Sequence, residues 1–167
     1  MEKVLIISLE NSENGSLLLD VPLHFIQIPA WLGVLSKTLG YKPKEEYHVT
    51  VIGLDLADLI QNSGKANEVA SLIDGYSWTF EASNKYIELA KDDENNVHRQ
   101  SIICPVEVPE LTQFYEELTS ILDINVIRPP THVTLCTKNY DRGIGLYSES
   151  DLRKFKVRDL TENTKAV

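Results

Sequence analysis

Two of the four histidines begin nearly the same short motif: His48 opens HVTV and His132 opens HVTL. Composition alone gives such a coincidence only on the order of once in several thousand chains of this kind. Alternate residues of a strand share a face, so each imidazole is predicted to lie beside the hydroxyl of its own motif, Thr50 or Thr134, while the aliphatic residues enter the core. Two residues along a strand span roughly 6.6 Å, so both groups can reach one phosphate.

Two imidazoles that face one phosphodiester can divide acid and base catalysis between them. Histidine titrates near neutral pH, so a neutral ring can accept a proton from the attacking water or hydroxyl while a charged ring protonates the leaving oxygen. The threonine hydroxyls would hold the non-bridging oxygens as negative charge develops. Neither motif brings a neighbouring carboxylate or a second histidine at helix-turn spacing, so the sequence predicts a reaction without a metal or other cofactor.

The chain also repeats one order of elements. QIP, a helical stretch and HVTV follow one another over residues 27–51, and EVP, a helical stretch and HVTL do so over 107–135. A strand, a proline, a helix and a strand in this order are common, but the equivalent placement of both motifs favours a duplicated domain with approximate twofold symmetry. If the two units pair, both His/Thr pairs line one cleft.

These motifs resemble the signature of the two-histidine (2H) phosphoesterase superfamily, also described as LigT-like, over roughly residues 23–137. The resemblance implies an α+β, bilobal fold of two pseudo-symmetric β-α-β lobes around a central cleft. It implies a metal-independent phosphodiesterase that opens 2′,3′-cyclic phosphates or cleaves 2′-linked phosphodiesters of RNA ends, oligonucleotides or nucleotides. His48 and His132 would then be the acid/base pair, and Thr50 and Thr134 the phosphate-binding hydroxyls.

Other interpretations stay open at this point. A nucleic-acid ligase of this type, joining RNA 2′-5′, would run the same chemistry in reverse. A binding module would hold a phosphorylated nucleotide without turning it over. A single HVT on a strand is most often a polar residue alternating with core valines, and only the pair of motifs makes a site the better interpretation.

Composition limits the partners. Of the 167 residues, 25 are acidic and 16 are Lys or Arg, for a net charge of −9, which disfavours a grip on long duplex nucleic acid and favours a small nucleotide or oligonucleotide. The apolar stretch Val4–Leu9 contains Ser8 and is flanked by acidic residues, so it predicts neither a signal peptide nor a membrane span. We expect a cytoplasmic monomer with one domain over 1–160 and a disordered tail over 161–167.

Several residues near the motifs are lesser candidates. Arg128 before the second motif and Tyr140 after it are predicted to bind substrate at the cleft mouth, against the alternative that they are solvated loop residues. Strict alternation places Cys136 on the face of His132, which makes a thiol nucleophile conceivable, although a small buried filler is the favoured interpretation. Cys104 and Cys136 form no CxxC pair, so both are expected to be reduced.

The elements that must position these residues follow from hydrophobic periodicity and from turn and capping residues. Predicted strands cover Lys3–Leu9 and Leu17–Val21, as a hairpin around Asn14-Gly15, then Phe25–Ile28, Glu46–Gly53, Trp78–Ala82, Tyr86–Ala90, Arg99–Val108 and Thr131–Thr137. Predicted helices run from Pro29 to about Leu39, from Asp55 toward Ile73 with an interruption at Gly64, from Pro109 to Leu122, and over Ser148–Phe155. Residues 138–160 otherwise give little signal, and Gly143-Ile144-Gly145 reads as a turn.

Overall fold

Helices and antiparallel strands together form a mixed α+β fold. The computed structural model describes residues 4–6 and 9–11 by their backbone and residues 15–166 with side chains. The strands are β1 Val4–Ile6, β2 Leu9–Asn11, β3 Leu17–Val21, β4 Lys42–Pro43, β5 Tyr47–Ile52, β6 Trp78–Ala82, β7 Tyr86–Asp92, β8 His98–Glu107, β9 His132–Lys138 and β10 Lys156–Leu160. The α-helices are α1 Ala30–Thr38, α2 Leu54–Ser63, α3 Ala66–Asp74, α4 Glu110–Leu122 and α5 Glu149–Phe155, and a 3-10 helix covers Leu23–Phe25.

A three-stranded sheet has the order β2-β3-β5. A hairpin precedes β5, because β2 pairs with β3 antiparallel, but its first strand is Leu9–Asn11 and not the predicted Lys3–Leu9, and Asn14 of its turn lies outside the described residues. Of the predicted strand over Lys3–Leu9, Val4–Ile6 form β1, which pairs with β6 of the other sheet, and Leu9 belongs to β2, while Lys3, Ile7 and Ser8 lie outside the described residues. The first apolar run therefore contributes to both sheets.

The seven-stranded sheet is organised around β8, which pairs with β6, β7 and β9. Pro105 lies inside β8, between Ile103, the last residue paired with β7, and Val106, the first paired with β6. A proline has no N–H to donate to a sheet ladder, and no donor is needed at the point where β8 changes its partner from β7 to β6. Pro105 therefore marks a change of partner strand within β8.

Helices α1 and α4 confirm the helix predictions. Pro29 and Pro109 occupy their N-cap positions, where the missing proline N–H removes no intrahelical bond. Each helix buries an apolar stripe in one core shared with the sheets; its buried members are Leu32 and Leu35 of α1 and Leu111, Phe114, Tyr115 and Leu118 of α4. The Tyr115 hydroxyl donates a hydrogen bond of 2.6 Å to the Val51 carbonyl, which ties α4 to β5.

The predicted strand over Phe25–Ile28 is wrong. The 3-10 helix covers Leu23–Phe25, and only Ile26 of the following residues is buried, while Gln27 and Ile28 are exposed. Prolines at 22 and 29 bracket the segment and remove two backbone donors. The strand of the first predicted unit is therefore β3, and α1 and β5 follow it as expected.

The C-terminal region is more regular than the sequence indicates. The predicted helix at Ser148–Phe155 is confirmed as α5, and the Ser148 hydroxyl caps it by accepting from the Asp151 N–H at 3.2 Å. Strand β10 was not predicted; it pairs with β7. Among the described residues no helix is long and apolar enough to cross a membrane.

Candidate active site

Both HVT motifs lie on strands with the predicted alternation. In β5, Val49 and Val51 are buried, His48 is exposed and Thr50 is half-buried. In β9, the motif histidine and threonine are half-buried while the two aliphatic residues are buried. Each imidazole and the hydroxyl of its motif thus lie on the same side of their strand, away from the main core.

The two motif strands belong to different sheets and come together at the boundary between them. Cα atoms of β5 and β9 approach within 8 Å of each other. A positive charge on His48 lowers the pKa of His132, after the larger effects of burial and of the Pro130 carbonyl. The structure therefore brings together the two histidines that the sequence selects.

Each motif strand carries a β-bulge directly after its threonine. In the pairing of β3 with β5, Leu18 faces Thr50 but Leu17 faces Ile52, so Val51 is the extra residue. In the pairing of β8 with β9, the register moves in the same way past the motif threonine and leaves Leu135 extra. Bulges of this kind bend a strand, increase its twist and occur often beside active sites.

The second bulge corrects the placement of Cys136. Strict alternation puts this thiol on the face of His132, but the extra residue turns it to the opposite side, opposite Ile102 and in the main core. Burial raises the pKa of the Cys136 thiol to about 12. A buried neutral thiol is a poor nucleophile, so the interpretation of Cys136 as buried filler is confirmed and a nucleophilic role is not supported.

One hydrogen bond sets the tautomer of His132. Its Nδ1 lies 3.2 Å from the Pro130 carbonyl oxygen, which can only accept, so Nδ1 carries the hydrogen. Nε2 is left as the nitrogen that can take up or release a proton. Burial of the ring lowers the pKa of His132, the Pro130 carbonyl opposes that shift, and His48 adds to it.

His48 lies in a more exposed and more mixed environment. Desolvation lowers its pKa, and the positive charge of Lys44 lowers it further. The carboxylates of Glu46 and Asp20 act in the opposite direction, and Asp20 is the cross-strand partner of His48. Both imidazoles therefore favour the neutral form more than an isolated histidine does.

Sequence reasoning missed Lys44. Its Nζ donates a hydrogen bond of 2.8 Å to the Asp141 carbonyl, and its backbone N–H bonds the Leu135 carbonyl of β9. A signal was available, because Lys44 precedes His48 by four residues, as Arg128 precedes the second motif histidine. Both histidines thus follow a basic residue at the same spacing.

The segment 139–147, named here the bridge loop, follows β9 in the chain and leads toward α5. It leaves β9 and is held at Asp141 by Lys44, which lies just before β5. Its last residue, Tyr147, is half-exposed, and its ring carbon Cε1 lies 3.9 Å from the position that a Cβ at Gly53 would take, just after β5. The bridge loop therefore contacts the chain on both sides of the first motif.

Of the two predicted substrate-binding residues, Arg128 lies in the connection that precedes β9. Its guanidinium donates a hydrogen bond of 2.7 Å to the Thr112 hydroxyl and lines a groove of about 610 Å³. Pro105, which faces His132 across the β8–β9 ladder, and Pro130 also line this groove. A role for Arg128 in binding remains a prediction.

Tyr140 lies on the bridge loop. The residue is 42% exposed, and one face of its ring is covered by the Arg99 guanidinium, whose Cζ is 4.1 Å from the ring centroid. No hydrogen bond or ring contact within the described part of the chain joins it to a motif side chain. Its predicted role in substrate binding is therefore also untested.

Within the described ranges, no three His, Cys, Asp or Glu side chains cluster as a metal-ligand set. Comparisons with protein-family models, with curated proteins and with solved structures find no match.

Proposed function

We propose that this chain is a metal-independent phosphodiesterase of the two-histidine type, acting on 2′,3′-cyclic phosphates or 2′-linked phosphodiesters of nucleotides and oligonucleotide ends. The observation that carries the proposal is the approach of two His-Val-Thr strands to within 8 Å between Cα atoms, each with its histidine and threonine on the less buried side of the strand. A chance HVT on a strand requires neither a second copy beside it nor the same bulge after it.

The proposal includes a bilobal architecture. The order β2-β3-β5 with α1 between its last two strands corresponds to the order β7-β8-β9 with α4 between its last two strands. In both sets the strands are antiparallel, the motif strand comes last, and a proline caps the helix. This correspondence supports two related units around one cleft.

In the proposed hydrolysis, water attacks phosphorus and a ribose oxygen leaves. The neutral imidazole of the pair takes the proton of water as the new P–O bond forms, and the protonated imidazole gives its proton to the ribose oxygen as the old bond breaks. At His132 this transfer passes through Nε2, because Nδ1 is engaged with Pro130. Afterwards the two rings have exchanged protonation states and must return to the starting state.

The threonines supply donors for the developing charge. The hydroxyls of Thr50 and Thr134 have no hydrogen-bond partner among the described residues, so each is available to donate to a non-bridging oxygen. Fixed donors of this kind lower the transition-state energy without being reorganised during the reaction.

The proposal is tested with a panel of 2′,3′-cyclic nucleotides and of 2′-5′ and 3′-5′ dinucleotides, with products identified by mass. We expect turnover that survives prolonged EDTA treatment, and a loss on the order of 10²-fold or more for His48→Gln and for His132→Gln. The double variant should lose far less than the product of the two single losses, because the residues act as a unit.

Two results would count against the proposal. Calorimetric binding of a cyclic nucleotide without turnover would favour the binding module instead. Near-normal turnover in both histidine variants, with unchanged thermal stability, would show that the pair is not the acid and base.

A further inference from the structure

Arg99 of β8 binds the bridge loop through its guanidinium. One terminal nitrogen of its guanidinium donates to the Gly143 carbonyl at 2.8 Å and to the Arg142 carbonyl at 3.2 Å. The same guanidinium lies over the Tyr140 ring, at a distance where a cation–π interaction is favourable. A single side chain thus contacts three of the nine residues of the bridge loop.

Gly143, one of the residues that Arg99 holds, packs directly on Thr134. A Cβ built on Gly143 would lie 2.5 Å from the Thr134 Oγ1 and 3.2 Å from its Cγ2. Real Cβ contacts are essentially never shorter than 3.0 Å, so only glycine fits at this distance. The backbone of the bridge loop therefore limits the space around the second motif hydroxyl.

The next residues fix the bridge loop on the same side of the sheet. Ile144 and Leu146 are buried in a second apolar cluster with Ile87, Leu89 and Ile103. Ile103 is the residue that faces Thr134 across the β8–β9 ladder. The loop is thus anchored by apolar burial after Gly143 and by Arg99 at Gly143 itself.

We propose that Arg99 is a positioning residue for Thr134: by bonding the carbonyls of Arg142 and Gly143, it keeps the bridge loop against the threonine and fixes its hydroxyl. This inference rests on the proposed function for its effect on turnover. The effect of Arg99 on Thr134 is indirect, because Arg99 bonds the Gly143 carbonyl and Gly143 packs on Thr134. Arg99 also keeps its Nε buried without a hydrogen-bond partner, which costs free energy, while its terminal nitrogen holds the loop.

The test is a double-mutant cycle between Arg99→Met and Thr134→Val with a 2′,3′-cyclic nucleotide as substrate. We expect each single variant to lower kcat by about 10- to 100-fold, the effect of one hydrogen bond to a charged group, with a smaller change in KM. The double variant should be no slower than Thr134→Val alone, because Arg99 acts through that hydroxyl. Arg99→Lys, which can still donate to the carbonyls, should recover part of the loss.

Arg153→Met is the matched control, since Arg153 is an exposed arginine of α5, and it should retain wild-type kcat. Multiplicative losses in the double variant, with equal thermal stability of the folded variants, would overturn the inference, because Arg99 would then act independently of Thr134. Unchanged kcat in Arg99→Met would overturn it as well.

A second readout does not depend on turnover. In a protein with ¹³C-labelled threonine methyl groups, Arg99→Met should shift or broaden the NMR signal of the Thr134 methyl and leave that of Thr50 unchanged. If the wild-type protein turns over no cyclic nucleotide, the proposed function fails and this spectrum still decides the positioning role. An unperturbed Thr134 methyl signal would refute it.

Discussion

Replacing Gly143 by alanine should displace the Thr134 hydroxyl and so impair the site, and the structure gives the size of the displacement. The added Cβ would meet the Thr134 hydroxyl at 2.5 Å, whereas real contacts of this kind are essentially never below 3.0 Å. Either the hydroxyl or the loop backbone must therefore move by about 0.5 Å. The loop is held by Arg99 and by the buried Ile144, so we expect Thr134 to take most of the displacement.

The magnitude follows from how catalysis depends on position. Catalytic groups work within about 0.5 Å of their productive geometry, and a misplacement of about 1 Å can cost on the order of 10²-fold. A shift of about half that size at one of two hydroxyls predicts a loss of about tenfold in kcat/KM. Crowding in a packed region costs about 1–3 kcal/mol in the free energy of unfolding. At about 2–4 °C per kcal/mol, the melting temperature should fall by several degrees.

Gly145→Ala is the control from the same loop. A Cβ at Gly145 would lie 3.8 Å from its nearest neighbour, the Tyr147 ring, which is an ordinary contact. The two variants are compared by initial rates on a 2′,3′-cyclic nucleotide and by thermal unfolding. We expect Gly145→Ala to match the wild-type protein in both measurements.

If Gly143→Ala keeps the wild-type kcat/KM, the contact between Gly143 and Thr134 does not set the position of the hydroxyl. If both glycine variants lose activity equally, the loss reflects the loop as a whole and the distance argument is refuted. A lower melting temperature with unchanged kcat/KM would mean that the loop backbone moves instead of Thr134.

Two further outcomes are expected. The pH profile of kcat/KM should be a bell with its optimum on the acid side of about pH 6.5, the ordinary histidine pKa, because the pKa values of His48 and His132 are both lowered. The rate falls on the alkaline side because the imidazolium is lost. An optimum well above pH 7 would contradict the lowered pKa values. Cys136→Ala should retain near-wild-type turnover and lose about 1 kcal/mol in the free energy of unfolding, because the thiol is packed in the core; a large loss of kcat in a stable variant would restore a chemical role for the thiol.

Local signals determined how much of the fold the sequence could predict. Helix α4 follows from Pro109 and a regular apolar stripe, and α5 follows from a serine cap, so both were predictable from neighbouring residues. The division of the first apolar run between two sheets was not, because it depends on pairing with Trp78–Ala82, which is remote in sequence. Apolar content alone also predicted a strand at Phe25–Ile28, a segment that pairs with no strand in the described part of the chain.

The candidate site divides in the same way. The two motifs predict His48 and His132 and their threonines, because an alternating strand fixes which side chains share a face. The bridge loop has no such pattern: its order comes from Arg99, which is more than forty residues earlier in the chain, and from burial of Ile144. Long-range contacts of this kind leave no periodic trace in the sequence.

The bulges in β5 and β9 follow from the residues that come after each motif threonine. In each motif the threonine is followed by two apolar residues in succession, Val51-Ile52 and Leu135-Cys136. Strict alternation would expose one of each pair beside the threonine, and burying a hydrophobic side chain instead is favourable. The bulge buries both residues and ends the polar face at the threonine, and the bend that it introduces re-aims the side chains before it. Both motif strands have a bulge at the same position, directly after the threonine. This shared bulge supports related units more strongly than the shared tripeptide does, because it concerns backbone geometry as well as residue identity.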